Sequence, residues 1–215
     1  NDYIGKTLKP WPVLLDHYTS NTSELSTKDT KVFLKEQDLI GQGNERSCFT
    51  NPLNKNTCVK VIRTKHRSQN KIEKYYYTKL KKRNNLSPFI SEYYGEINTN
   101  LGKGLVFEKI LDSDGCSSES LYTLMKNNAI SLSEAKKILK TVFEDLYQNA
   151  ILLGDVTKDQ ILLKKTDHGY TPKIIDGLGT RRYGIKLFLM SNIKSFARRK
   201  LKKSWKTLEV DLELA

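Results

Sequence analysis

Apolar residues recur at two different spacings along this chain, and the change from one to the other divides it. From Lys31 the apolar groups 32–34, 39–40 and 48–49 are interrupted by glycines at 41 and 43, which predicts two strands joined by a tight hairpin loop. After a turn at 51–56, apolar and polar residues alternate over 57–63 around Val59, Val61 and Ile62, the period of a third strand. The runs 91–98 and 105–110 flank Asn100, Gly102 and Gly104, turn chemistry for a second hairpin. Between them, residues 68–83 switch to helical spacing, with Ile72, Tyr76 and Leu80 on one face and Lys and Arg on the other. The expectation is an antiparallel sheet of about five strands with one inserted helix.

Beyond residue 111 the helical period takes over. Helices are predicted over 120–127 and 131–149, the second opened by a capping box of Ser131 and Glu134, with Ile138, Val142, Phe143 and Leu146 as its buried stripe. A loop around Asp155, a hairpin over 161–175 and one final helix complete the order. Strands first and helices afterwards is an α+β pattern in two lobes, with residues 31–111 sheet-rich, 112–215 a reduced helical part, and the Asp, Ser and Gly segment 111–116 between them. Residues 1–30, with a short apolar piece at 11–15 followed by Ser, Thr and Asn, read as an extension or linker.

Composition narrows what such a protein can meet. The 37 Lys plus Arg against 24 Asp plus Glu leave +13, so the surface attracts anions: nucleotide, acidic glycan, membrane or nucleic acid. Cys48, Cys58 and Cys116 form no CxxC pair, and their odd count points to free thiols in a reducing compartment. His17, His66 and His168 are too scattered for a zinc site. With neither a long apolar run nor a signal-peptide pattern, the expected location is the cytoplasm.

The residues that could carry chemistry stand in a telling order. Gly41, Gln42 and Gly43 form a glycine turn between strands whose amides could lie over phosphates. Alternation turns Lys60 away from Val59 and Val61, towards the face this loop covers. Glu73, on the predicted helix, is the expected partner of Lys60, and such a pair orients an ammonium to the α- and β-phosphates of a nucleotide. The backbone from Glu108 to Ile110 falls where adenine would be met. Asp155, with Gln160 following, has the spacing of a kinase catalytic loop, and Asp176 follows a hairpin, where a metal-binding carboxylate belongs. Each feature alone has an ordinary structural explanation as a turn residue or a surface charge. Together and in this order they predict a two-lobed, protein-kinase-like fold.

At this point the chain resembles the PhoP regulatory network protein YrbL family of bacterial kinase-like proteins. The resemblance rests on 39–44, 58–61, 93–95, 99–107 and 112–115, and it covers about residues 38 to 206. It implies a compact kinase-like fold, a bacterial source, and links to envelope stress and surface polysaccharide. The kinase pattern is not met everywhere: Arg46 stands at the third glycine position, Leu153 and Gly154 replace the residues that brace the catalytic Asp, and Gln160 stands in place of Asn. Only 39 residues follow Asp176, too few for an activation segment and a peptide-binding helical lobe.

The expectation is therefore an ATP- and Mg²⁺-dependent phosphotransferase acting on a small hydroxyl acceptor, such as a sugar of a bacterial surface glycan or lipopolysaccharide. Asp155 would be the base, Lys60 the phosphate ligand, and Asp176 with Gln160 the metal ligands. The alternative is a pseudokinase or regulatory nucleotide-binding module. Residues 181–206 carry ten Lys or Arg and no acidic residue on a helical pattern, a face suited to an acidic glycan or the surface of an anionic membrane. Nucleic acid is disfavoured, because no exposed aromatics interleave with these cations.

Overall fold

Five antiparallel strands come first, and their alternation sorts side chains onto two faces. The computed structural model describes residues 31–64 and 69–213, so the predicted extension over 1–30 lies outside the described residues. The strands are β1 (Leu39–Gln42), β2 (Arg46–Thr50), β3 (Thr57–Ile62), β4 (Tyr93–Thr99) and β5 (Gly102–Glu108), in the spatial order β1-β2-β3-β5-β4. In β3, Val59 and Val61 join Val32, Leu34 and Phe49 in a small apolar cluster. Cys58 points the other way, into the main core, and Lys60 shares its parity.

Helix α1 (Gln69–Lys82) crosses that second face and buries Ile72, Glu73, Tyr76, Tyr77 and Leu80. The predicted stripe is present, with a carboxylate set into it. Helix α2 (Leu121–Lys126) follows a two-residue strand β6 (Glu119–Ser120), and α3 (Leu132–Gln148) starts at the expected capping box. The Glu134 carboxylate accepts from the Ser131 amide at 2.9 Å while Ser131 Oγ accepts from the Glu134 amide at 3.2 Å. The buried stripe of α3 is Ala135, Leu139, Val142 and Leu146; Ile138 and Phe143, expected inside, are half-buried at its margin, where Phe143 meets Trp205.

Strands β7 (Ile161–Thr166) and β8 (Gly169–Ile174) form the predicted hairpin and pair with β6. The single final helix expected from the periodicity is two helices, α4 (Ile185–Asn192) and α5 (Lys194–Glu213). Ile193 is extended at the break. Ser191 Oγ and Asn192 Nδ2 both donate to the Phe188 carbonyl, competing with the backbone bonds that would carry the helix through. One continuous apolar core runs from Cys58 and Phe107 through α1 and α3 to Leu201 and Leu212 of α5. No helix among the described residues is long and apolar enough to cross a membrane.

Candidate functional site

A cleft of about 1250 Å³ opens between the five-stranded sheet and the helical half. Gly41, Gln42, Gly43, Lys60, Glu108, Ile110, Asp155, Gln160 and Asp176 all line it. The structure thus brings together every sequence-predicted site residue except Glu73, which lies behind the cleft wall at 1% exposure.

The expected pairing of Lys60 with Glu73 is not the one that forms. Glu73 is held by Arg46 of β2 through two bonds, Nη1 to Oε2 at 2.6 Å and Nη2 to Oε1 at 3.0 Å. The same guanidinium reaches Asp176 Oδ2 at 2.7 Å, so Arg46 clamps α1 to the segment after β8. Lys60 instead donates to the Ile175 carbonyl and lies 4.3 Å from the centre of the Phe107 ring. The planar guanidinium of Arg46 meets Glu73 with two parallel bonds and still has a donor directed at Asp176. Burial disfavours the Asp176 carboxylate, yet the charges of Lys60 and Arg46, with the hydrogen bond from Arg46, more than offset this and hold it well below the usual carboxylate range. Arg46 is raised: burial opposes its charge, but Glu73 and then Asp176 outweigh that cost.

The two aspartate loops are tied to each other. The Gly177 carbonyl accepts from the amides of Gly154 at 2.7 Å and Asp155 at 3.4 Å, and the Leu152 carbonyl accepts from Gly179 at 2.8 Å. Gly177 has φ +90°, and a Cβ there would fall 1.9 Å from the Asp155 carbonyl oxygen, so only glycine allows the crossing. Two helices fix the base of the Asp155 loop. Tyr76 Oη of α1 accepts from the Leu152 amide at 2.6 Å, and Ser204 Oγ of α5 lies 3.2 and 2.9 Å from the carbonyls of Leu153 and Gly154. The Asp155 side chain itself is 52% exposed and accepts from Arg181.

Gln160 Oε1 accepts from the Thr157 amide at 3.2 Å, closing the turn before β7, and its own carbonyl accepts from Ile175. At the end of β5, the Ile110 carbonyl accepts from Ser118 and the Lys109 amide donates to Asn56. Gly41 has open space where a Cβ would go, and a Cβ at Gly43 would have only ordinary contact with the Arg46 carbonyl; neither has a positive φ. Nothing in the fold requires glycine at these two positions.

As a test of the Mg²⁺ expectation, the donors are of the right kind: an ionised carboxylate at Asp176 and an amide oxygen at Gln160. Among the described residues no group of three or more His, Cys, Asp or Glu stands ready for a metal. This donor set fits a cation that arrives with phosphates, and it requires Arg46 to give up Asp176 Oδ2.

Sequence reasoning missed the role of Arg46, although a signal was present. Arg46 has the parity of Cys48, whose cross-strand partner is Lys60, so alternation alone sets both cations on one sheet face. Arg181 and Ser204 carried no such signal, since their contacts span 26 residues and about 50 residues of chain.

Glycine turn, two inward cations and two joined aspartate loops thus share a single cleft in an α+β protein. The chain belongs to the PhoP regulatory network protein YrbL family, whose model matches residues 32–213. It is 26% identical over 154 residues to the uncharacterized protein YrbL of Escherichia coli strain K12, covering 68% of this chain and 72% of that one. The YrbL protein of Shigella flexneri, also uncharacterized, matches to the same extent.

Proposed function

We propose that this protein is an ATP- and Mg²⁺-dependent phosphotransferase of kinase-like fold whose acceptor is a small hydroxyl compound, with a sugar of a bacterial surface glycan or lipopolysaccharide as the favoured class. The observation that carries this reading is the joining of the Asp155 and Asp176 loops through the Gly177 carbonyl, in one cleft with Lys60 and the glycine turn. In this reading Lys60 and the backbone at Gly41 and Gly43 bind phosphates, and the strand end from Glu108 to Ile110 faces adenine. Asp155 accepts the proton of the acceptor hydroxyl as that oxygen forms its bond to the γ-phosphorus and the bond to ADP breaks. Asp176 and Gln160 would hold Mg²⁺, which when bound neutralises phosphate charge. Glu73 serves through Arg46 rather than through Lys60.

The second reading, a regulatory nucleotide-binding module without transfer, is favoured by one observation: Arg46 occupies the Asp176 carboxylate that a metal needs. The two are separated by thermal melting with ATP in Mg²⁺ and in EDTA, followed by single-turnover transfer to candidate glycans. The phosphotransferase reading expects Mg²⁺-dependent stabilisation and a loss of transfer of about 10²-fold or more in Asp155→Asn. Stabilisation equal in EDTA, with no phosphate leaving ATP, selects the regulatory module. No stabilisation by ATP under either condition removes both.

A further inference from the structure

Helix α4 faces the wrong way for a helix whose apolar side chains serve the core. Its Leu187 and Ser191 are buried, while Ile185, Phe188 and Leu189, spaced i, i+3 and i+4, form a stripe in solvent, with Ile185 80% and Phe188 58% exposed. The stripe continues past the helix break to Ile193 and Phe196, both exposed. The charges on it are of one sign, since residues 181–208 contain no Asp or Glu and exposed Lys186, Lys194 and Arg199 flank the apolar side chains. At its other end the segment is continuous with the cleft, where Arg181 holds Asp155 and Arg182 lines the mouth.

We infer that the α4 face docks the protein onto an anionic lipid surface. Bulky apolar side chains standing out from a ring of Lys and Arg is the pattern by which peripheral helices seat at the headgroup and acyl boundary, cations on the headgroups and side chains below them. A second copy of this chain is a poor occupant, because it would bring the same positive charge to the contact. A specific protein partner is also less well matched: an eight-residue helix is about 12 Å long, small beside the roughly 800 Å² per side that a stable interface buries. Membrane seating has no such minimum, as a few inserted side chains add to the charge attraction. Docking here would place the mouth of the cleft at the lipid surface. This inference goes beyond the proposed phosphotransferase activity and does not depend on it.

The test is co-sedimentation of the full chain with vesicles of phosphatidylcholine alone and of phosphatidylcholine with phosphatidylglycerol at three to one. Binding is expected to the anionic vesicles and to fall about tenfold in Ile185→Asp with Phe188→Asp, and comparably in Lys186→Glu with Lys194→Glu. Melting curves of the variants should match the parent, since all four side chains are exposed; if the aspartates disturb folding, Ile185→Ser with Phe188→Ser replaces them. As a second readout, Ile185→Trp should add blue-shifted emission on anionic vesicles. Equal vesicle binding by parent and apolar variants overturns the inference, as does an absence of binding to anionic vesicles. A dimer in light scattering that the apolar variants dissociate, without vesicle binding, assigns the face to a second copy instead. ATP-induced stabilisation, measured on the same variants, reports separately on the cleft.

Discussion

Arg46 and Asp176 lie 2.7 Å apart across the floor of the cleft, one on β2 and the other just after β8. Arg46 is at the same time the bidentate partner of Glu73, so one guanidinium joins the sheet, α1 and the segment after the C-terminal hairpin. Truncating it leaves Glu73 buried without a counter-charge. Arg46→Ala is expected to lose about 3 to 5 kcal/mol of stability in urea denaturation. Arg46→Met combined with Glu73→Gln should recover much of that loss, because neither buried charge then remains. A loss below about 1 kcal/mol in the single variant would show the clamp to be structurally unimportant.

The same contact predicts the acid limb of stability. In the unfolded chain Asp176 takes up its proton near the ordinary value of 3.8, whereas folded it does so only at much lower pH. The unfolded state therefore binds more protons in acid, and stability rises with pH through that window. The contribution of Asp176 is complete above about pH 5 and is lost progressively as pH falls towards the depressed folded value. Urea midpoints measured from pH 6 to pH 3 should fall less steeply in Asp176→Asn than in the parent.

Gly177 and Gly41 should differ sharply in their response to the same substitution. Gly177→Ala forces a Cβ against the Asp155 carbonyl at a positive φ, and a loss of about 3 kcal/mol or more is expected, with the Asp155 loop displaced. Gly41→Ala meets nothing within 4 Å and should change stability by no more than about 0.5 kcal/mol. If the glycine turn covers phosphates, Gly41→Ala will weaken ATP-induced stabilisation all the same. Thermal melting with and without ATP measures both effects, and unchanged ATP response in Gly41→Ala would remove the turn from the binding site.

Ser204 tests whether α5 supports the Asp155 loop. Its hydroxyl is buried against the carbonyls of Leu153 and Gly154 and accepts from Lys200 at 3.0 Å. Ser204→Ala should cost about 1 to 2 kcal/mol, and Ser204→Cys less, as the weaker thiol keeps a partial donor. Hydrogen exchange of the amides at 153–155 should quicken in the alanine variant and stay unchanged if α5 only packs there.

Much of this architecture was legible from the chain because it depends on short-range rules. Alternation in β3 predicted the face of Lys60, the helical period predicted the buried stripe of α1, and Ser131 with Glu134 predicted the start of α3. Glycines at 41 and 43 and aspartates at 155 and 176 were recognisable by spacing, and the cleft receives all four. The stripe of α3 was misjudged at Phe143 because the partner that half-covers it, Trp205, comes from α5. The final helix was misjudged at Ile193 because the hydroxyl and amide of Ser191 and Asn192 act on the Phe188 carbonyl, a local competition that periodicity does not register.

What the sequence determined by itself was therefore the order of elements, the faces of the strands and the residues that gather at the cleft, since period and turn chemistry act between near neighbours. Only the tertiary structure decided who pairs with whom. Glu73 is gripped by Arg46 of β2, whose planar fork also reaches Asp176 from another part of the chain, while Lys60 donates to the Ile175 carbonyl. It likewise decided that the apolar stripe of α4 faces outwards, because Leu187 and Ser191 on the opposite side were already buried against the core.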